Sequence, residues 1–300
     1  MNERHALDGL ARIEPGKGGL PRILVETKAA TAEIYLYGAQ VTSWRPAGFD
    51  DVLFVSEGSH WELGKPIRGG IPICFPWFRA KADDSKAPTH GFVRTREWSV
   101  DTIRREGEYS VVVNLSTQSD ADSRRWWPHE FRLEYAVTVG PRLTLELTMR
   151  NVGERELEFQ EALHSYFRVG DVQRVTVSGL ESVQYLDNRD NNLEKKQEGS
   201  LILTMQTDNA YLDAVGAVEI VDPVFGRKLL TEKRNSVSTI AWNPWSDGAA
   251  ALTDFGNEEW RGMLCVEGGN VLRQPVHLNP GCSHTMTITL GVTPIQRPRG

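Results

Sequence analysis

The chain has 300 residues, of which 40% are hydrophobic and 25% charged, enough for one large domain or two small ones around a packed core. Its net charge is −6, with no long basic run. That excludes nucleic acid as the main partner, because phosphate backbones need clustered Lys and Arg, but leaves room for a small anionic ligand held by a few local cations.

In chain order, the opening "MNERHALDGLARIEPGKGGL" is polar and glycine-rich, and a loosely held segment is expected over 1–20. It lacks the apolar centre of a signal peptide. No later stretch approaches the roughly 20 apolar residues that span a bilayer, so no membrane association is expected. Cys74, Cys265 and Cys282 form no CxxC pair and are odd in number. They read as reduced thiols of a cytoplasmic protein, acting as small buried hydrophobes.

Period-two patterning then dominates. Strands are expected over 33–44, 109–116, 131–139, 142–149, 173–180, 237–242, 262–267 and 284–292. "FRLEYAVTV" and "RLTLELTM" meet at Gly140-Pro141 and read as a hairpin. Short helices are expected near 120–126 and 254–261 only. With no internal repeat or linker, this pattern predicts an all-β fold, a large antiparallel sandwich over 21–296 as a single domain. GxGxxG, GxxxxGK[ST] and GxSxG are absent, and the seven histidines never fall at HxH or HxxxH spacing. Common nucleotide, hydrolase and local metal motifs are therefore unsupported.

Two stretches suit a loop that shapes a pocket better than a strand or helix: "KPIRGGIPICFPWF" (65–78) and "THGFVR" (89–94). Arg68 and Arg94 flank them. They are either an anion grip or ordinary ion-paired surface residues. Trp77, Phe78, Trp242 and Trp245 fall near the same loops and suit either a sugar face or the core. In "LEFQEALHSYFRV" (157–169), one regular strand would put Gln160, Ala162, His164, Tyr166 and Arg168 on one face and Phe159, Leu163, Phe167 and Val169 on the other. His164 is then either a wet-face histidine or a proton carrier lining a groove. Glu267 closes the apolar run "MLCV" before Gly268-Gly269-Asn270. It is either a solvated strand-end glutamate or a partly desolvated base.

Taken in order, "GAQVTSWRP" (38–46), "KPIRGGIPICFPWF", "THGFVR", "WPHEFRLEYAVTVG" (127–140), "ALHSYFRVGD" (162–171), "TDNAYLD" (207–213), "WNPW" (242–245), "WRGMLCVEGGNV" (260–271) and "LNPG" (278–281) resemble the glucose-6-phosphate 1-epimerases. These hexose-6-phosphate mutarotases form a branch of the aldose 1-epimerase, or galactose-mutarotase-like, superfamily. The resemblance implies a β-supersandwich with a groove on one sheet, anomer interconversion of hexose 6-phosphates by acid–base ring opening, and neither cofactor nor metal. It implies His164 as general acid, Glu267 as general base, His90 beside the ring oxygen, Arg68 and Arg94 as ligand-binding arginines, and Asp208 as an acidic ligand contact. Thr89 stands where the family often has glutamine, so the matching contact would come from a shorter side chain. Gly268-Gly269 falls where the family varies and carries no role. A monomer or weak homo-oligomer is expected. Three readings compete: a mutarotase of unphosphorylated aldoses, a non-catalytic sugar-phosphate binder of the same fold, and a glycoside hydrolase using Asp208 with Glu267.

Overall fold

The alternation between Phe131 and Asn151 is realised residue by residue in the computed structural model, which describes Leu7 and residues 9–296. Phe131, Leu133, Tyr135, Val137 and Val139 are buried, and the residues between them are half-exposed. Leu143, Leu145, Leu147 and Met149 line the same side of the antiparallel partner Leu143–Asn151, with Tyr135 opposite Leu147. Around this hairpin lies an eight-stranded sheet in the order Thr176–Ser178, Val218–Asp222, Arg227–Arg234, Ser283–Pro294, Leu143–Asn151, Phe131–Val139, Ser110–Gln118, Ser99–Glu106. A second eight-stranded sheet runs Leu193–Lys196, Gln184–Asp187, Thr207–Tyr211, Ser238–Asn243, Met263–Asn270, Glu161–Leu163, Ile73–Cys74, with Tyr166–Arg168 also paired to Met263–Asn270.

The two large sheets touch where Gly268 meets Ile288: a Cβ at 268 would come within 2.3 Å of Ile288 Cδ1. Alternation along the strand then turns Glu267 to the opposite, outer face. One apolar cluster extends from Ala11 to Leu290 and includes Trp44, Trp98 and Phe131. This is the large antiparallel β-sandwich the patterning predicts. No helix among the described residues is long and apolar enough to cross a membrane.

Several local expectations are corrected. Ala11–Pro15 is not loose: it pairs with Pro21–Glu26 at the edge of a four-stranded sheet, and Ala11 is buried. Residues 1–6 and 8 of the segment expected to be loose lie outside the described residues. The run 33–44 is a hairpin of Ala30–Tyr35 and Gln40–Pro46, turned by Gly38 and Ala39 at positive φ. Only Thr176–Ser178 of the run 173–180 is strand.

The stretch 157–169 is three short strands. His164 N–H bonds Pro72 O, and Ser165 N–H turns back onto Leu163 O, which interrupts the ladder. The helix Ala121–Trp126 forms, capped reciprocally by Asp120 and Ser123. Near 254–261 there is only the 3₁₀ turn Glu259–Gly262. The second α-helix is instead Trp245–Ala251, where an alanine run favours helix. Cys74 and Cys265 are buried free thiols, but Cys282 is exposed.

Candidate functional site

The strand carrying Glu267 does not end there. Met263–Asn270 continues through both glycines, and all eight residues are buried. Across it, Leu163 faces Gly268 and Tyr166 faces Cys265, so His164 and Glu267 occupy facing positions of the interrupted ladder. Cross-strand neighbours on one face bring their side chains together, and His164 Nε2 lies 3.4 Å from Glu267 Oε1. The wet-face reading of His164 fails, since its side chain is 8% exposed and that of Glu267 1%. Among the described residues neither Glu267 oxygen nor His164 Nδ1 has a hydrogen-bond partner.

An unpaired carboxylate out of water favours its protonated form. Burial, with the nearby Asp208 charge, pushes Glu267 well above the ordinary carboxylate range, against Arg79 and Arg94. Burial, then Arg94 and Arg68, holds His164 well below the ordinary imidazole value. In the protein alone, burial of both groups thus favours the proton on Glu267 and a neutral imidazole beside it. That imidazole stacks on Tyr166, with centroids 4.7 Å apart, and meets the edges of Trp242 and His90 at 6.1 and 5.6 Å.

The loops supply the rest. Gly91 has φ +75°, and a Cβ there would fall 1.7 Å from Phe75 O, so only glycine allows the close approach that sets His90 against Phe78. His90 Nδ1 accepts the Arg79 N–H at 3.1 Å. Burial and then Arg94 hold His90 well below its usual value, so the ring is neutral and its proton sits on Nε2.

Arg68 is an ion pair, but a largely buried one. Its Nε donates to Asp254 Oδ2 at 3.1 Å and a terminal nitrogen donates to the Tyr166 hydroxyl at 3.2 Å. Arg94 is partly buried and its side chain donates, among the described residues, only to Thr89 O, at 2.8 Å. Among the described residues no carboxylate lies within 4.0 Å of it. Thr89 contributes that carbonyl rather than a side-chain bond. Asp208, two strands from Glu267, has both oxygens engaged, one by Arg79 at 2.8 Å and one by Asn188 at 2.6 Å.

The fold therefore brings His164, Glu267, His90, Arg68, Arg94 and Asp208 into one neighbourhood, with Phe78 and Trp242. It does not bring Trp77, whose indole bonds Pro88 O, or Trp245, which packs at a tilt against Trp260. Sequence reasoning gave no role to Arg79, Asp254 or Tyr166. Tyr166 shared the His164 face in the alternation and could have been found. Asp254 is brought to Arg68 across 186 residues, with no local signal. Among the described residues no three His, Cys, Asp or Glu side chains cluster as metal ligands would.

A 34% identical relative from Cenchrus ciliaris, covering 95% of this chain and 88% of its own, is named "Putative glucose-6-phosphate 1-epimerase". A relative of the same name from Escherichia coli K12 is 31% identical over 83% of this chain and 82% of its own. The crystal structure of a Salmonella typhimurium protein described as a "putative mutarotase" superposes with TM-score 0.90 at 27% identity, over 97% of this chain and 96% of its own. The aldose 1-epimerase family model matches residues 21–291; with this span and these relatives, the chain belongs to the aldose 1-epimerase family.

Proposed function

We propose that the chain interconverts the α and β anomers of a hexose 6-phosphate, glucose 6-phosphate first among them. Glu267 takes the proton of the C1 hydroxyl while His164 gives one to the ring oxygen, and the C1–O5 bond breaks. The open aldehyde rotates about C1–C2 and recloses on its other face with the two roles reversed. His90, donating from Nε2, faces the ring oxygen side. The names of the relatives support the phosphosugar substrate.

The observation that carries the reading is Arg94, a partly buried guanidinium with no carboxylate partner among the described residues, beside a carboxyl–imidazole pair. A dianionic phosphate there satisfies the cation by charge-assisted hydrogen bonds. It also offsets the positive charge that depresses His164, moving the shared proton toward the imidazole as ring opening requires. The glycosidase reading is weaker, because Asp208 is tied to Arg79 and Asn188 and is not free to act as a second carboxylate.

Anomer-exchange NMR with glucose 6-phosphate, and with glucose beside it, tests the proposal. Exchange accelerated for the phosphosugar far above glucose is expected. Equal rates would leave a mutarotase of free sugars, and no acceleration would leave a binder.

A further inference from the structure

Arg79 serves three neighbours at once. Its main-chain N–H donates to His90 Nδ1 at 3.1 Å. One terminal nitrogen donates to Asn192 Oδ1 at 2.9 Å and the other to Asp208 Oδ1 at 2.8 Å. Its guanidinium carbon sits 5.8 Å from the Phe78 ring centroid, and its side chain is 18% exposed. The backbone is left-handed, with φ +65°, a conformation glycine tolerates and an arginine adopts only under strain. The arginine side chain therefore sits at this position against its own backbone preference.

Asp208 pairs in register with Trp242, which in turn faces Cys265 two residues before Glu267. A bare carboxylate at 208 would oppose a second negative charge at 267. Asn188, its other partner, carries no charge.

We propose that Arg79 is a positioning residue of this site: its guanidinium holds Asp208 in place two strands from Glu267 and sets a positive charge against that carboxylate. The proposal rests on the reading of Glu267 as the base. The fork shape matters, since two oxygens on separate segments are gripped by one planar group. The other titratable or charged groups around Glu267 are His164 and Tyr166 from the facing ladder, His90 and Arg94 from the loop 89–94, Arg68 from the loop 65–78, the Cys265 and Cys74 thiols, and Asp208 itself. Of these cations Arg79 alone is bonded to Asp208. The balance of forces agrees: Asp208 is the leading charge opposing Glu267 ionisation and Arg79 the leading charge favouring it.

Arg79→Gln, Arg79→Lys, Asp208→Asn and the Gln/Asn double variant test this through two readouts. One is the pH titration of the Glu267 carboxyl by carbon NMR in the protein alone. The other is anomer exchange as a function of pH. Arg79→Gln should move the Glu267 midpoint to higher pH and lower kcat/KM at least about threefold more near pH 6 than near pH 8. Arg79→Lys should keep the midpoint near the parent's while lowering kcat/KM, because it keeps the charge but not the fork. Asp208→Asn should move the midpoint down, and the double variant should return it toward the parent.

An unmoved midpoint with a rate loss equal at every pH would overturn the proposal and leave Arg79 a structural brace. If Arg79→Gln fails to fold, an unmoved midpoint in Asp208→Asn overturns it as well. The titration needs no sugar. If the midpoints shift as expected but glucose 6-phosphate is not turned over, the substrate reading falls and the assignment of Arg79 stands.

Discussion

His164 Nε2 and Glu267 Oε1 face each other at 3.4 Å across one rung of an interrupted ladder, and among the described residues the Glu267 carboxyl group has no hydrogen bond of its own. Two groups this close titrate as a unit with macroscopic values that belong to the pair. The singly protonated pair is the working form. A second proton silences the base and loss of both silences the acid.

The rate of anomer exchange should therefore fall on both the acid and the alkaline side. With glucose 6-phosphate, both limbs of kcat should lie at higher pH than those of kcat/KM, because the bound phosphate adds negative charge beside the pair. Full pH profiles for the two sugars check this. Coincident limbs would place the phosphate away from the pair.

His164→Ala and Glu267→Gln should each lower kcat by at least about 10²-fold, the usual contribution of a positioned proton-transfer group. Stability should move the other way for Glu267→Gln. The folded chain holds the Glu267 proton to higher pH than the unfolded chain does. This group thus favours folding at low pH and opposes it as pH rises above the ordinary carboxylate range through its raised value. The Tm advantage of Glu267→Gln should grow with pH, as thermal unfolding at several pH values will show.

Arg68 and Arg94 look equivalent in sequence and are not so in space. Arg94→Ala should lower kcat/KM for glucose 6-phosphate by about 10- to 150-fold, the worth of roughly 1.5–3 kcal/mol for a hydrogen bond to a charged group, and leave glucose almost unchanged. Arg68→Ala should impair both sugars and lower Tm, because it leaves Asp254, only 11% exposed, without its cation and unpins the tyrosine under His164. Steady-state kinetics on both sugars, with melting curves, separates the two roles.

Away from the cleft, fully buried Glu161 is met by His284 Nε2 at 2.9 Å and Asn270 Nδ2 at 2.8 Å. Burial works against protonation of His284, but the hydrogen bond and charge of Glu161 outweigh it and raise its value. This pair stabilises the fold fully below about pH 6.5, the unfolded imidazole value, and loses that contribution as pH rises through the raised one. His284→Ala should destabilise by at least about 2 kcal/mol below pH 6.5, and by less as pH rises. Urea melts at several pH values measure it.

The sandwich was legible because its strands repeat with period two, and Phe131–Val139 and Leu143–Asn151 each follow that pattern without a break. His164 and Glu267 stood out as polar residues in apolar runs. Their facing register was not legible, because the break at His164-Ser165 depends on Pro72 from a distant loop. The edge strand Ala11–Pro15 was hidden by its glycine and charged flanks, which look like a tail until Pro21–Glu26 supplies a partner. Arg79 was hidden because its value comes from three contacts spread between positions 90 and 208, none visible as local spacing.

Gly268 lets the bare backbone of the site strand rest on Ile288 of the neighbouring sheet. The depth of the cleft floor is thereby gauged by a hydrocarbon contact on its far side. Thinning that contact by one methylene, as in Ile288→Val, gives the strand room to sink and draws the Glu267 carboxyl away from a sugar held by the loops. Ile288 faces away from every candidate ligand group, yet changes there should appear in the reaction rate before they appear in the fold.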